Sequence, residues 1–113
     1  MPEQGEILLV PVPFTDLTSE KRRPVIVISN NVYHKQTTDM VVIAMTSNPE
    51  NVPYGFTINS ESLLVGQLKR PSKVRVDKIY TLSQSLSVKT FGRVKDDVLQ
   101  KIRLLLQELI AGS

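Results

Sequence analysis

Residues 6–29 read EILLVPVPFTDLTSEKRRPVIVIS: two short runs rich in leucine and β-branched residues, held apart by a stretch of turn formers. Short apolar runs bounded by Pro, Asp, Thr and Ser are strand signals. Residues 6–12 and 24–29 are therefore predicted strands, joined by a loop over about 12–22. A third run, MVVIAM at 40–45, is continuously apolar and too short for a helix, so it predicts a strand buried on both faces. TSNPENVPYG ends it with clustered turn formers.

Further along, 55–58, 64–68 and 88–94 give weaker strand signals, and PSKVRVDKIYTL at 71–82 gives a stronger one. In that last stretch Val74 and Val76 alternate with Lys73, Arg75 and Asp77. Period-two geometry places the valines inward and the three charged residues together on the outer face. The period then changes. Val98, Leu99, Ile102, Leu105, Leu106, Leu109 and Ile110 follow helical spacing, Asp96 and Asp97 suit a helix N-terminus, and Gly112 suits its stop. The sum is a mainly β domain closed by one C-terminal amphipathic helix, a single domain over 1–113 with no internal repeat or linker.

The inventory of reactive groups is sparse. The 113 residues include no cysteine and one histidine. That excludes thiol nucleophiles, zinc-thiolate sites and a two-imidazole acid/base pair within one chain. No apolar run approaches the roughly 18 residues of a membrane span, and MPEQGEILLVPVPF lacks the basic start of a signal peptide. A cytoplasmic, membrane-free protein is expected. Fourteen Lys plus Arg against eleven Asp plus Glu give a net charge of +3, a mild bias toward anionic partners.

The placement of charge says more than the total. Lys21, Arg22 and Arg23 precede Pro24, which holds Arg23 extended; the plain alternative is a solvated loop. Thr46, Ser47 and Asn48 end the buried strand, where ordinary turn hydrogen bonds would also explain them. Lys69, Arg70, Lys73, Arg75 and Lys78 put five cations within ten positions, with Asp77 the only acid among them. Such a density suits a phosphate backbone, although Arg75 and Asp77 could equally form a surface ion pair of little energetic weight. His34 lies in the polar segment NNVYHKQTTD and is expected in a solvated loop. Phe14, Tyr33, Tyr54 and Phe56 could stack on bases, but so small an aromatic complement is expected to serve the core.

Taken together, these motifs resemble the MazF/PemK/Kid toxins of bacterial toxin–antitoxin systems. GEILLVPVPFTDLTSEKRRPVIVIS is similar to the family's first hairpin, VVIAMTSN to its strand ending in Thr-Ser, and SKVRVDKIYTL to its later strand carrying Arg-x-Asp. The resemblance implies a small barrel of strongly bent strands, of the Kid/MazF/CcdB type, acting as a homodimer. It also implies metal- and cofactor-free cleavage of single-stranded RNA, often messenger RNA, leaving 2′,3′-cyclic phosphate and 5′-hydroxyl ends, and inhibition by an antitoxin with an acidic, hydrophobic tail.

Carried over by position, Arg23, Thr46, Arg75 and Asp77 would be catalytic, with the last two matching the acid and base pair of the Kid-like branch. Arg22, Ser47, Lys69, Arg70 and Lys73 would bind RNA, and DNA would be a ligand without being a substrate. The first loop lacks the histidine that some members carry there. A non-catalytic nucleic-acid-binding module and a protein-directed toxin resembling the gyrase poison CcdB are the alternatives.

Overall fold

The computed structural model describes residues 1–11, 22–48, 50–87 and 89–112. Phe14, Lys21 and nearly all of the first predicted loop, including its missing histidine position, lie outside the described residues. Among the described residues, seven strands form one sheet: β1 (Glu6–Pro11), β2 (Arg22–Val27), β3 (Asp39–Thr46), β4 (Gly55–Ile58), β5 (Leu63–Val65), β6 (Ser72–Ser83) and β7 (Lys89–Val94). Helix α1 spans Asn31–Gln36 and α2 spans Asp96–Ile110. The strand order is β4-β6-β3-β2-β1-β7-β5, and all the pairings are antiparallel.

Chain connectivity forces this sheet to curl. β4 and β5 are consecutive in sequence yet occupy its two opposite edges. Laid flat, six inter-strand spacings would part those edges by about 29 Å. The five-residue step from Ile58 to Leu63 reaches at most about 18 Å even when extended. The edges must therefore come together, and Ile58 and Leu63 do lie in one buried cluster with Ile7, Ile26, Ile43 and Val74. The expected bent-strand barrel is thus realised as a curled half-barrel.

Alternation along the strands sorts the apolar residues onto two faces. Ile7, Ile26 and Ile43 point to the side covered by α2, whose Val98, Leu99 and Ile102 are buried against them. Leu8, Val10, Val25, Val27, Met40 and Val42 form a second buried cluster on the other side. The predicted helical stripe of α2 is only partly used: Leu105, Leu106 and Leu109 are half-buried and Ile110 is exposed. Tyr54 and Phe56 pack on the first cluster, as expected of scarce aromatics, and Lys101 Nζ sits 4.7 Å from the Phe56 ring centre.

The structure corrects the expectations at three places. The segment holding His34 is helical, because Asn30 caps it by accepting from Tyr33 N, and six residues are too few for a readable apolar period. His34 is only 3% exposed. Its Nε2 lies 2.6 Å from Ser29 Oγ, while its buried Nδ1 meets no hydrogen-bond partner among the described residues. Gln84 anchors this helix by donating through Nε2 to the carbonyls of His34, Thr37 and Asp39.

The second correction is the strand predicted at 64–68: β5 covers Leu63–Val65 and stops at Gly66, which adopts φ +93°. The equally weak signal at 55–58 is present as β4, Gly55–Ile58, as expected. The third correction concerns β6 and shapes the site.

Candidate functional site

Cross-strand register brings the dispersed motif residues onto one face. Val25, Ala44, Arg75 and Gly55 lie in one row across β2, β3, β6 and β4. In the next row outward Thr46 pairs with Lys73, which pairs with Thr57. Continuing the β2–β3 ladder outward would place Arg23 opposite Thr46, but the ladder begins at Val25. Pro24 has no N–H to give it. β2 and β3 therefore part just where Arg23 and Thr46 stand, and an open cleft of about 370 Å³ occupies this end of the sheet. Arg23, Thr46, Asn48, Glu50, Lys73, Arg75, Lys78 and Tyr80 supply its polar lining.

The strand carrying the charged motif does not alternate as expected. β6 pairs Ile79 with Ile43 and then Arg75 with Ala44, so Val76, Asp77 and Lys78 have no counterparts on β3. This bulge bends the strand. Its Val76 amide is caught by the carbonyl of Tyr54, which has a left-handed backbone at φ 59°. Two corrections follow. Lys73 is nearly buried, at 8% exposure, where an outward, solvated residue was expected; it occupies a strand flanked on both sides, and its Nζ donates to Asn51 Oδ1 at 3.3 Å. Asp77 is not on the sheet face but in the bulge, from which it reaches back to Arg75.

Arg75 and Asp77 form a bidentate pair, with Nε to Oδ1 at 3.0 Å and Nη2 to Oδ2 at 2.9 Å. The plain ion-pair reading of these two residues is therefore realised at the edge of the cleft, which Arg75 lines and Asp77 does not. Hydrogen bonding from Arg75 holds the Asp77 carboxyl below the usual carboxylate range, against a smaller opposing effect of burial. The same bonds raise the Arg75 guanidinium.

A depressed folded pKa means that the pair's contribution is present above the unfolded value and lost as pH falls through the folded one. An NMR titration of the Asp77 carboxyl carbon is expected to find its midpoint below 3.8. Arg75→Gln should bring it back up, and a midpoint unmoved by that substitution would refute the pairing.

Thr46 and Asn48 also make the turn bonds anticipated for them. Thr46 Oγ1 accepts from Asn48 N at 3.2 Å, and Asn48 Oδ1 accepts from Glu50 N at 3.1 Å. These bonds fix where the cleft wall turns without removing Thr46 from it. Arg22 and Ser47 are exposed and do not line the cleft, and neither do Lys69 and Arg70 in the turn before β6. The cluster of five cations thus divides into three inside the cleft and two outside it.

Tyr80 and Glu50 line the cleft without having been singled out from the sequence. Strict alternation from Arg75 leads to Asp77 and Ile79; only the bulge puts Tyr80 on this face, and no residue in the motif signals it. Burial raises the Tyr80 hydroxyl above its ordinary value. Among the described residues, no three His, Cys, Asp or Glu side chains converge as a metal site would need, and no helix is long and apolar enough to cross a membrane.

A family model described as the PemK-like, MazF-like toxin of type II toxin–antitoxin systems matches residues 3–110. Among solved structures, a MazE–MazF complex from Deinococcus radiodurans is similar at TM-score 0.78 and 24% identity, over 99% of this chain and 98% of that one. An endoribonuclease in complex with its cognate antitoxin, from a mycobacterial species, aligns over the full length of both chains at TM-score 0.73 and 20% identity. The Mycobacterium tuberculosis toxin MazF-mt6 follows at TM-score 0.72 and 16% identity, covering 91% of this chain and 93% of that one. Among curated proteins, none matches the chain. At such identities the solved structures establish a shared fold.

Proposed function

Since the chain belongs to the PemK-like, MazF-like toxin family of type II toxin–antitoxin systems, we propose that it is an endoribonuclease that cuts single-stranded RNA through the RNA's own 2′-hydroxyl. The observation that carries this is the convergence of Arg23, Thr46, Lys73 and Arg75, from three strands, on one open cleft. Cleavage by that route needs in-line placement, a base for the 2′-hydroxyl proton, and charge to stabilise the five-coordinate phosphorus. Arg23, Lys73 and Arg75 supply charge, each arginine contributing about 2–4 kcal/mol. Thr46 positions the scissile phosphate. Asp77 takes the proton as a weak base, made weaker by Arg75, and the enzyme is accordingly modest in rate.

The products are a 2′,3′-cyclic phosphate and a 5′-hydroxyl, and neither metal nor cofactor takes part. Arg22, Ser47, Lys69 and Arg70 lie outside the cleft and serve the RNA strand as it enters and leaves. The complexes formed by the mycobacterial and Deinococcus relatives support a cognate antitoxin here too. A disordered acidic and hydrophobic tail suits the cationic cleft, which it would block on ordering. Family membership likewise supports a homodimer.

Incubation of the purified protein with long single-stranded RNA in EDTA tests this directly. Fragments with 5′-hydroxyl ends are expected, and RNA left intact at micromolar protein would overturn the reading. Binding with a steep salt slope and no products would favour a non-catalytic nucleic-acid module instead. The same preparation should sediment at about twice the 12.7 kDa of one chain; a single-chain mass would refute the dimer.

A further inference from the structure

The proposed reaction leaves one proton transfer without a donor. When the bond from phosphorus to the 5′ oxygen breaks, that oxygen departs as an alkoxide unless a proton reaches it, and a general acid here contributes about 10²–10⁴-fold. The guanidinium groups of Arg23 and Arg75 are too weakly acidic to give up a proton. Asp77 is held in its ionised form by the two bonds from Arg75. Thr46 offers an aliphatic hydroxyl, no more acidic than the alcohol that leaves.

Tyr80 differs from all of these, and from the two ammonium groups of the cleft: Lys73 Nζ is engaged with Asn51 Oδ1, and Lys78 is exposed in the bulge. Among the described residues it is the one phenol that lines the cleft. Paired with Val42 across β3, it resumes beyond the bulge the same sheet face that carries Lys73 and Arg75. Its ring packs on the second apolar cluster, which leaves the polar end to the cleft. The charges of Arg75, Asp77 and Arg23 all act on that hydroxyl. A phenol is protonated at neutral pH, and burial holds this one further on that side.

We propose that the Tyr80 hydroxyl is the general acid of this cleft, donating its proton to the departing 5′ oxygen; the assignment rests on the endoribonuclease reading above. The 2′ oxygen bonds to phosphorus as its proton passes to Asp77. The bond to the 5′ oxygen breaks with its electron pair on that oxygen, which takes the phenolic proton. The phenolate left behind sits in the field of Arg23 and Arg75 and recovers a proton from water, while Asp77 releases its own to solvent.

The test compares the wild type with Tyr80→Phe on two single-stranded RNA oligonucleotides cut at a position mapped with the wild type. One is ordinary, and the other carries sulfur in place of the bridging 5′ oxygen at that position. A thiolate leaves without needing a proton. Tyr80→Phe is expected to cut the ordinary RNA about a hundredfold more slowly and the sulfur-bridged RNA as fast as the wild type does, which also establishes that the variant is folded. Equal losses on both substrates, or no loss on the ordinary one, would overturn the assignment. A wild type that cuts neither RNA would overturn the endoribonuclease reading itself, and the acid with it.

Discussion

Replacing Arg75 by alanine is expected to slow RNA cleavage by about a hundredfold or more, the loss of one preorganised charge at a phosphorus gaining negative charge. The substitution should leave the fold nearly as stable as before. Arg75 stands at the cleft with its side chain 23% exposed, and its partner Asp77 is more exposed still; pairs of that kind contribute about 0–1 kcal/mol. Activity and stability should therefore separate.

Arg75→Lys should restore only part of the rate, because an ammonium cannot reproduce the two parallel bonds to Asp77 that hold the guanidinium in place. Arg23→Ala should cost at least about tenfold by the same physics. Initial rates on one RNA, read beside thermal melting curves, check all three variants. An Arg75→Ala protein that cuts at the wild-type rate would remove this residue from the chemistry.

The largest effect on folding is expected at Gly92, far from the cleft. A Cβ built there would lie 2.2 Å from the carbonyl oxygen of Val65 and 3.1 Å from its carbonyl carbon. Both are backbone atoms, so no side chain can swing away to make room. Opposite, the same crossing leaves Gly66 no space beside the Phe91 carbonyl, at 2.4 Å. Gly92→Ala must push β5 off β7, and with β5 goes the burial of Leu63.

Overpacking of this kind costs about 1–3 kcal/mol and more when backbone must move. That is a large share of the roughly 5–15 kcal/mol that holds a domain folded. For a chain of this size each kcal/mol shifts the melting temperature by about 4 °C or more, so a drop near 10 °C is expected. Gly112→Ala, where a Cβ meets nothing within 4 Å, is the control that should melt unchanged. A Gly92→Ala protein that melts with the wild type would refute the close crossing.

How far these features could be read from the chain depended on whether they are local. The strand cores at 6–11, 24–27 and 40–45 and helix α2 declare themselves by composition and period, and each is present. Pro24 was legible too, and its effect proved larger than holding Arg23 extended, since it ends a ladder and opens the cleft. Helix α1 was missed because its stability comes from the Asn30 cap and from Gln84, fifty residues beyond His34. Lys73 was misplaced because burial on a central strand depends on both neighbours, which alternation cannot see. The bulge at Val76, Asp77 and Lys78 was invisible for a related reason: it is a mismatch between two strands, expressed only when β6 meets β3. With it went Tyr80, whose face depends on that mismatch.

The strand order also sets a sequence of events during synthesis. Among the described strands, β1 comes first in sequence and has the last of them, β7, as one of its two neighbours, and β5 has no described strand partner but β7. Contacts of such long sequence separation form late. Until residue 94 has emerged from the ribosome, β1 keeps one bare edge and Leu63 has nothing to pair with. The nascent chain therefore cannot close its sheet until β7 has been made, whereas β2 and β6, which carry the two arginines, find their neighbours β1, β3 and β4 before it.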